Sequence, residues 1–421
     1  MMQRPFIRQK PVTELPYALK VFLLLSVTLT VLSFVYTILC RHMNLGLPYS
    51  FPYYYVPGNM FDDFLPFLDK FREWGTPAFF GHEKHGYFMY PALLVHVFRF
   101  LLSLPHQRTC FILILLAVTA SLALAFIQVM RKHGMATLQS ILFAGSTAFL
   151  SYPLIFVIQR CNIEFLVWLV GAIGVWCFFT GRTNTSAVFI GLAASLKLYP
   201  FIFLGLFLPR RKYGGFLLGL ATFAAVTALS LYGIGPTIAA AARWDSEQIA
   251  AFSKYYAGGV SFIGYDHSFF ALLKAATQRW HPNYFSWERP YTITVATLAV
   301  ALYFLRMWRL PLPNQILALS VLSITLPPVS YDYTLLNLYP AFAMLVVLSL
   351  QAQRRATRVP HLTTYMFLFA VIFTPQSYII FHAVRYGAQL RAICLIVMLA
   401  LALVTPLPEL EPSDGGQLQQ V

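Results

Sequence analysis

Apolar runs alternate with short polar breaks from Val21 almost to Thr405. A helix that crosses a bilayer core needs about 20 mostly apolar residues. Val21–Cys40, Cys110–Met130 and Gly215–Ile234 meet that length. Further runs are Tyr87–Leu104, Tyr291–Met307, Gln315–Leu326, Leu335–Leu350, Leu362–Phe381 and Ala388–Leu403. From Thr137 to Leu208 the signal is nearly continuous, broken at Gln159–Asn162, Gly181–Asn184 and Lys197–Pro200. Those breaks are either ordinary turns or the ends of short helices that stop mid-membrane. The pattern predicts an all-α polytopic membrane protein with about 11 to 13 transmembrane helices. One membrane domain, residues 1–405, precedes a polar tail, 406–421, that is expected to be disordered. Two longer polar stretches, near 41–86 and 235–290, are predicted to be outer loops.

Composition supports this picture. The chain of 421 residues is 58% hydrophobic and 11% charged, with a mean hydropathy of +0.66, whereas soluble domains carry roughly a quarter charged residues. A net charge of +15 raises the question of nucleic acid. The basic residues, however, sit in clusters at the ends of apolar runs: Arg4, Arg8 and Lys10; Arg210, Arg211 and Lys212; Arg354, Arg355 and Arg358. That is the positive-inside distribution of a protein in a lipid bilayer, and it leaves no basic domain for nucleic acid. It predicts a cytoplasmic N-terminus. Val21–Cys40 is too long for the apolar core of a cleavable signal and lacks a small-residue cleavage site. The five cysteines form no CxxC pair and read as small buried hydrophobes. No internal repeat of the kind common in secondary transporters is visible.

The acids narrow the chemistry. None of the fifteen lies in the middle of a long apolar run; nine lie in the two outer loops, and Glu164 and Asp332 stand at breaks. Intramembrane charge marks ion pathways, so its absence from span centres weighs against ion-coupled transport. It directs attention to the membrane surface. Asp62 and Asp63 lie among aromatics and prolines, in Pro57–Phe67. A partly desolvated carboxylate there can serve as a general base; a solvated loop acid or helix cap is the plainer alternative. Arg160, Asn162 and Glu164 interrupt apolar sequence, either as a structural ion pair or as a site for phosphate or sugar hydroxyls. Lys197 has at least a dozen uncharged residues on each side, and either snorkels or meets a lipid phosphate. Pro200 would break a helix beside it. Asp266-His267 and Tyr331-Asp332-Tyr333 sit at outer segments, and Tyr90 belongs to an aromatic approach to a span. His82, His85 and His281 lack zinc-type spacing, and the chain contains no Walker motif, GxGxxG or serine-hydrolase elbow.

Taken in order, these segments resemble a C-type integral-membrane glycosyltransferase, in particular glycosyltransferase family 87. The resemblance rests on Asp63-Phe64 with Phe67, Met89-Tyr90-Pro91, Arg160-Cys161-Asn162-Ile163-Glu164, Gly191–Pro200 with its Lys197-Leu198-Tyr199-Pro200, and Ser330-Tyr331-Asp332-Tyr333. It covers roughly Phe61 to Ala341. It implies a C-type fold with a long outer first loop, and inverting transfer of a sugar, mannose above all, from a polyprenyl-phosphate donor to a glycan or glycolipid acceptor. It further implies Asp63 as the base, with Asp62 the adjacent alternative. Lys197, Arg160 and His267 are then donor-phosphate ligands, and Asn162, Glu164, Tyr199, Tyr331, Asp332 and Tyr90 line the substrate. A phosphomonoester leaving group requires no metal or other cofactor in that mechanism. The family is common in bacteria, which places the chain in an inner membrane with its active site outward. Cys161 stands where the family usually has glycine. If every run were a full span, Arg160 would lie across the membrane from Asp63; short helices would bring them together, and that is the preferred reading. A transporter or lipid flippase is the alternative function, and a non-catalytic membrane partner a third.

Overall fold

The computed structural model describes residues 14–43, 63–74, 79, 90–260, 263–280, 282–375, 380–381, 384–385 and 387–410. These are helical, with β pairing among them limited to Ile380–Phe381 against Val384–Arg385 and a single bridge between Asp266 and Tyr331. In chain order the helices are α1 (Tyr17–His42), α2 (Leu65–Arg72), α3 (Ala92–Ser103), α4 (Gln107–Lys132), α5 (Thr137–Leu150), α6 (Tyr152–Arg160), α7 (Glu164–Phe179) and α8 (Thr183–Leu196). A 3-10 helix, Tyr199–Phe207, leads to α9 (Tyr213–Leu231), α10 (Ile238–Phe252), α11 (Phe269–Thr277), α12 (Tyr284–Leu305) and α13 (Leu312–Thr325). A second 3-10 helix, Asp332–Leu338, runs into α14 (Tyr339–Arg355), followed by α15 (Leu362–Phe373) and α16 (Gly387–Val404).

Among the described residues, six helical segments are long and apolar enough to cross a membrane, or seven if the α5–α6 pair, bent by 59°, counts as one. This is fewer full spans than the 11 to 13 read from hydropathy. The difference lies in α3, α7, α8, α13 and α15, which are apolar but only 12 to 16 residues long. At 1.5 Å per residue such helices reach about 18–24 Å, short of a core of about 30 Å. Hydropathy counts apolar runs; it does not show where they stop. The segment 235–290 holds α10, α11 and the start of α12.

The bend has a local cause. Ser151 is extended (φ −76°, ψ 103°), its hydroxyl accepts the Leu154 N–H at 3.2 Å, and Pro153 follows in the first turn of α6. A proline has no N–H to donate and restricts the residue before it, so α5 cannot continue straight through. The close packing of α8 on α9 depends on Gly191, where a Cβ would stand 2.5 Å from the Gly219 carbonyl oxygen.

The core is one apolar cluster built on α13, α14, α15 and α16, and a second, aromatic-rich cluster around α2, α3 and α7. Several basic turns come together. Gln353 Nε2 donates to the Glu14 carbonyl at 2.9 Å, and Lys212 Nζ to Thr183 Oγ1 at 3.0 Å. Arg210 Nη1 donates to Gln315 Oε1 at 2.7 Å. The helices that start at the polar cluster described next, α7 and α14, end at Thr180–Arg182 and Arg354–Arg355.

Candidate active site

Asp63 stands just ahead of α2, and its position is set by the aromatics that follow it. Phe64 is buried and stacks on Phe111 at 4.4 Å, and Phe67 meets Tyr90 edge-on at 5.5 Å. Asp63 reaches the end of α6, where Arg160 Nη2 donates to its Oδ1 at 2.6 Å and Asn162 Nδ2 to its Oδ2 at 2.8 Å. The Asp63 N–H also donates to the Arg160 carbonyl at 3.3 Å. Arg160 therefore lies beside Asp63, as the short-helix reading expected. Asp62 lies outside the described residues.

Cys161 makes the turn between Arg160 and Asn162. Its φ of +50° is in the left-handed region, which costs a side-chain-bearing residue about 1–2 kcal/mol and a glycine almost nothing. The glycine usual at this position in the resembling family thus has a physical reason, and Cys161 keeps the same turn. Asn162 Oδ1 accepts the Glu164 N–H at 2.8 Å and so caps the start of α7.

Glu164 is fully buried and is held from three directions. Lys197 Nζ pairs with its Oε2 at 2.6 Å, Tyr199 Oη donates to Oε1, and Asn337 Nδ2 donates to Oε1 at 3.0 Å. Lys197 sits where α8 has ended and the backbone is extended (φ −151°, ψ 143°), two residues before the 3-10 helix that Pro200 helps to open. Its ammonium lies 5.2 Å from the Tyr90 ring centroid and 5.0 Å from that of Tyr333, within reach of cation–π attraction. Asp63, Arg160 and Lys197 keep 19, 12 and 16% of their side-chain surface exposed. Five separate segments thus converge on a partly open cluster of two carboxylates and two cations.

A second cluster adjoins the first. Asp332 accepts from Arg391 Nη1 at 2.6 Å and from Tyr152 Oη at 2.7 Å, and His267 Nδ1 lies 3.7 Å from its Oδ1. His267 Nε2 lies 3.1 Å from both Ser330 Oγ and Thr334 Oγ1. The order Ser330–His267–Asp332 is that of a hydrolase triad, but these side chains are 2% exposed or less, so the arrangement is closed to a substrate. Asp266 accepts the N–H groups of Ser268 and Ser330 at 3.0 and 2.9 Å, and Lys274 stands 4.0 Å away. Burial raises the Asp266 carboxyl above its ordinary range, and Lys274 and those N–H groups oppose the rise. Tyr331 is half-buried, and burial together with the Asp266 carboxylate pushes its phenol well up.

The structure thus groups the candidates in two. Asp63, Arg160, Asn162, Glu164, Lys197, Tyr199 and Tyr90 belong to the open cluster. His267 and Asp332, candidates for phosphate and sugar contact, belong to the closed one, where Arg391, Tyr152, Ser330 and Thr334 occupy them; Tyr331 adjoins it. Sequence reasoning passed over Asn337, Tyr152 and Arg391, and quoted Tyr333 in its motif without a role. For Arg391 a signal existed, since it is the one charged residue in the last apolar run, Ala388–Leu403, and charge inside such a run asks for a partner.

The family model of glycosyltransferase family 87 matches residues 88–330. The chain belongs to glycosyltransferase family 87. No curated protein and no solved structure matches it. A family 87 chain is a membrane glycosyltransferase, with a sugar donor and an acceptor as its substrates. The matched range contains Tyr90, Arg160 to Glu164, Lys197, Tyr199 and His267, while Asp63, Asp332, Asn337 and Arg391 lie outside it.

Proposed function

We propose that this family 87 glycosyltransferase moves mannose from a polyprenyl-phosphate donor to a hydroxyl of a glycan or glycolipid, with inversion, on the outer face of a bacterial inner membrane. The observation that carries the reading is the open cluster: the Asp63–Arg160 and Glu164–Lys197 pairs, at the ends of short helices. Asp63 takes the proton of the acceptor hydroxyl as its oxygen attacks the anomeric carbon. The bond from that carbon to the phosphate oxygen breaks, and polyprenyl phosphate leaves with one more negative charge. Lys197 and Arg160 stabilise that charge as it develops. A guanidinium carries five donors and an ammonium three, so a phosphate can share these cations with Asp63 and Glu164 rather than displace them. In this mechanism the two cations do the work of a metal. Asn162 and Tyr90 hold the base and the lysine, Tyr199 holds Glu164, and His267 and Asp332 act from the closed cluster through what they position. Tyr331 borders the sugar site. The basic turns face the cytoplasm, as the positive-inside rule directs.

The test uses membranes containing wild type or Asp63→Asn at equal protein levels, supplied with polyprenyl-phosphate mannose labelled in the sugar. Labelled lipid or glycan is expected with wild type alone. Full activity of Asp63→Asn removes Asp63 as base and moves the role to Asp62. Activity with a different polyprenyl-phosphate sugar keeps the mechanism and corrects the donor. Solute or lipid flux that Asp63→Asn leaves unchanged, with no transfer, favours the transporter alternative.

A further inference from the structure

The open and closed clusters share two segments. Helix α6 sends Tyr152 to Asp332 at its start and Arg160 to Asp63 at its end. The 3-10 helix Asp332–Leu338 holds Asp332 in the closed cluster, then places Tyr333 over Lys197 and Asn337 on Glu164. Phe156 of α6 stacks parallel to Tyr333 at 6.4 Å, so the two segments also touch midway. Whatever fixes Asp332 therefore fixes the groups that hold Lys197.

Asp332 is fixed by Arg391, in the first turns of α16. The guanidinium is 3% exposed; Nη1 binds Asp332, Nη2 donates to the Thr374 carbonyl at 3.1 Å, and the plane lies 4.5 Å from the Tyr152 ring centroid. Thr374 follows the last residue of α15, so the cation also meets the negative end of that helix. Two residues earlier, Gln389 Nε2 donates to the Ile263 carbonyl and, at 3.3 Å, to that of Asp266. The first turns of α16 thus gather the Ile263–His267 segment and the Asp332 segment, which are joined by the His267 N–H to Ser330 carbonyl bond at 3.0 Å and the Asp266–Tyr331 bridge.

We infer that Arg391 is a positioning residue for sugar transfer: through Asp332 it sets the 3-10 helix whose Tyr333 and Asn337 orient the Lys197–Glu164 pair. The inference rests on Lys197 being part of the active site. It makes α16, outside the matched family range, a working part of the enzyme. Lysine cannot replace this arginine without loss, because one ammonium lacks the planar fork that serves Asp332 and Thr374 together. A misplacement of about 1 Å near reacting groups can cost up to about 100-fold in rate.

The experiment measures how fast membranes of a deletion strain carrying each variant form the sugar-bearing lipid or glycan that wild type restores, from endogenous substrates and at equal protein levels. This readout needs no assumption about the donor. Arg391→Lys is expected to keep its thermal midpoint and lose about tenfold in rate, with Asn337→Ala similar. The double variant is expected to fall no further than the weaker single, because both act on one lysine placement. Ile396→Ala, on the exposed side of the same helix, should match wild type. A wild-type rate for Arg391→Lys, or losses that multiply to about 100-fold in the double variant, overturns the inference. Should Arg391→Lys fail to accumulate, Arg391→Met with Asp332→Asn takes its place in the cycle, leaving no buried charge unpaired; a wild-type rate there also overturns it. Lys197→Gln separates the two readings. If it is inactive while Arg391→Lys is fully active, only the Arg391 inference fails; if it is fully active, the site assignment fails and the inference with it.

Discussion

The open and closed clusters are built from the same materials, a carboxylate paired with a cation at 2.6 Å, and differ in solvent access. Asp63, Arg160 and Lys197 retain 12 to 19% of their side-chain surface, although Glu164, the partner of Lys197, retains none; Asp332, His267 and Arg391 all retain 3% or less. A closed pair exists to be left alone: removing one partner strands a charge where neither water nor a ligand can reach it. A partly open pair can share its donors with an incoming phosphate. Distance alone does not separate a site from its scaffold, and access does.

The sharpest test of that contrast is a pair of neutralisations. Asp63→Asn should lower transfer by about 10²- to 10⁴-fold, the usual contribution of a positioned base, with little change in thermal unfolding in detergent. Asp332→Ala should in addition destabilise the fold, by about 3–5 kcal/mol, by leaving Arg391 buried and unpaired, seen as lost yield and an early melt. Comparable melts for the two variants would erase the distinction. Lys197→Gln should cost about 10²- to 10³-fold in rate, with the fold retained; an unfolded product would move Lys197 to the scaffold.

A smaller effect concerns Asp245 on α10, outside the spans. Burial raises its carboxyl to about 6, and its Oδ1 has no hydrogen-bond partner among the described residues. As pH rises past the ordinary value near 4 the unfolded chain ionises first, while the native chain holds its proton until about 6. The stability contribution is therefore largest at low pH and is lost as pH climbs through that window. Asp245→Asn should raise the melting temperature at pH 7 more than at pH 4.5; an equal gain at both would contradict the burial argument. The smallest effect is at Cys161. Cys161→Gly should remain active and unfold within about 1 kcal/mol of wild type, since relief at φ +50° offsets the lost thiol packing. Cys161→Val should be clearly destabilised, because a β-branched residue is an outlier in that region. Equal stability of the two would mean the turn is not as strained as its backbone angle indicates.

Much of this was legible in the residues. Apolar runs of about 20 residues point to a membrane protein, and basic clusters at their ends fit the turns between its helices. The open cluster was legible in part, because Arg160, Glu164 and Lys197 are charges that interrupt apolar sequence, where charge is costly, and Asp63 lies among aromatics and prolines in a polar stretch. What hydropathy does not register is where an apolar run stops. Residues such as Ser151 and Pro153, Cys161 and Pro200 end helices through backbone geometry, which leaves the apolar signal nearly unbroken.

The sequence by itself determined the class of molecule and the basic ends of its apolar runs. Burial of apolar surface and the cost of intramembrane charge depend on residue type, and residue type is all a sequence states. The pairing belongs to the tertiary structure. Arg160 meets Asp63 because α5 bends by 59° and α6 stops at Cys161. Asp332 meets Arg391 because the first turns of α16 reach the segment that carries it. A charge finds its partner through distances across the fold, here between residues 59 and 97 positions apart, and no local pattern carries that information.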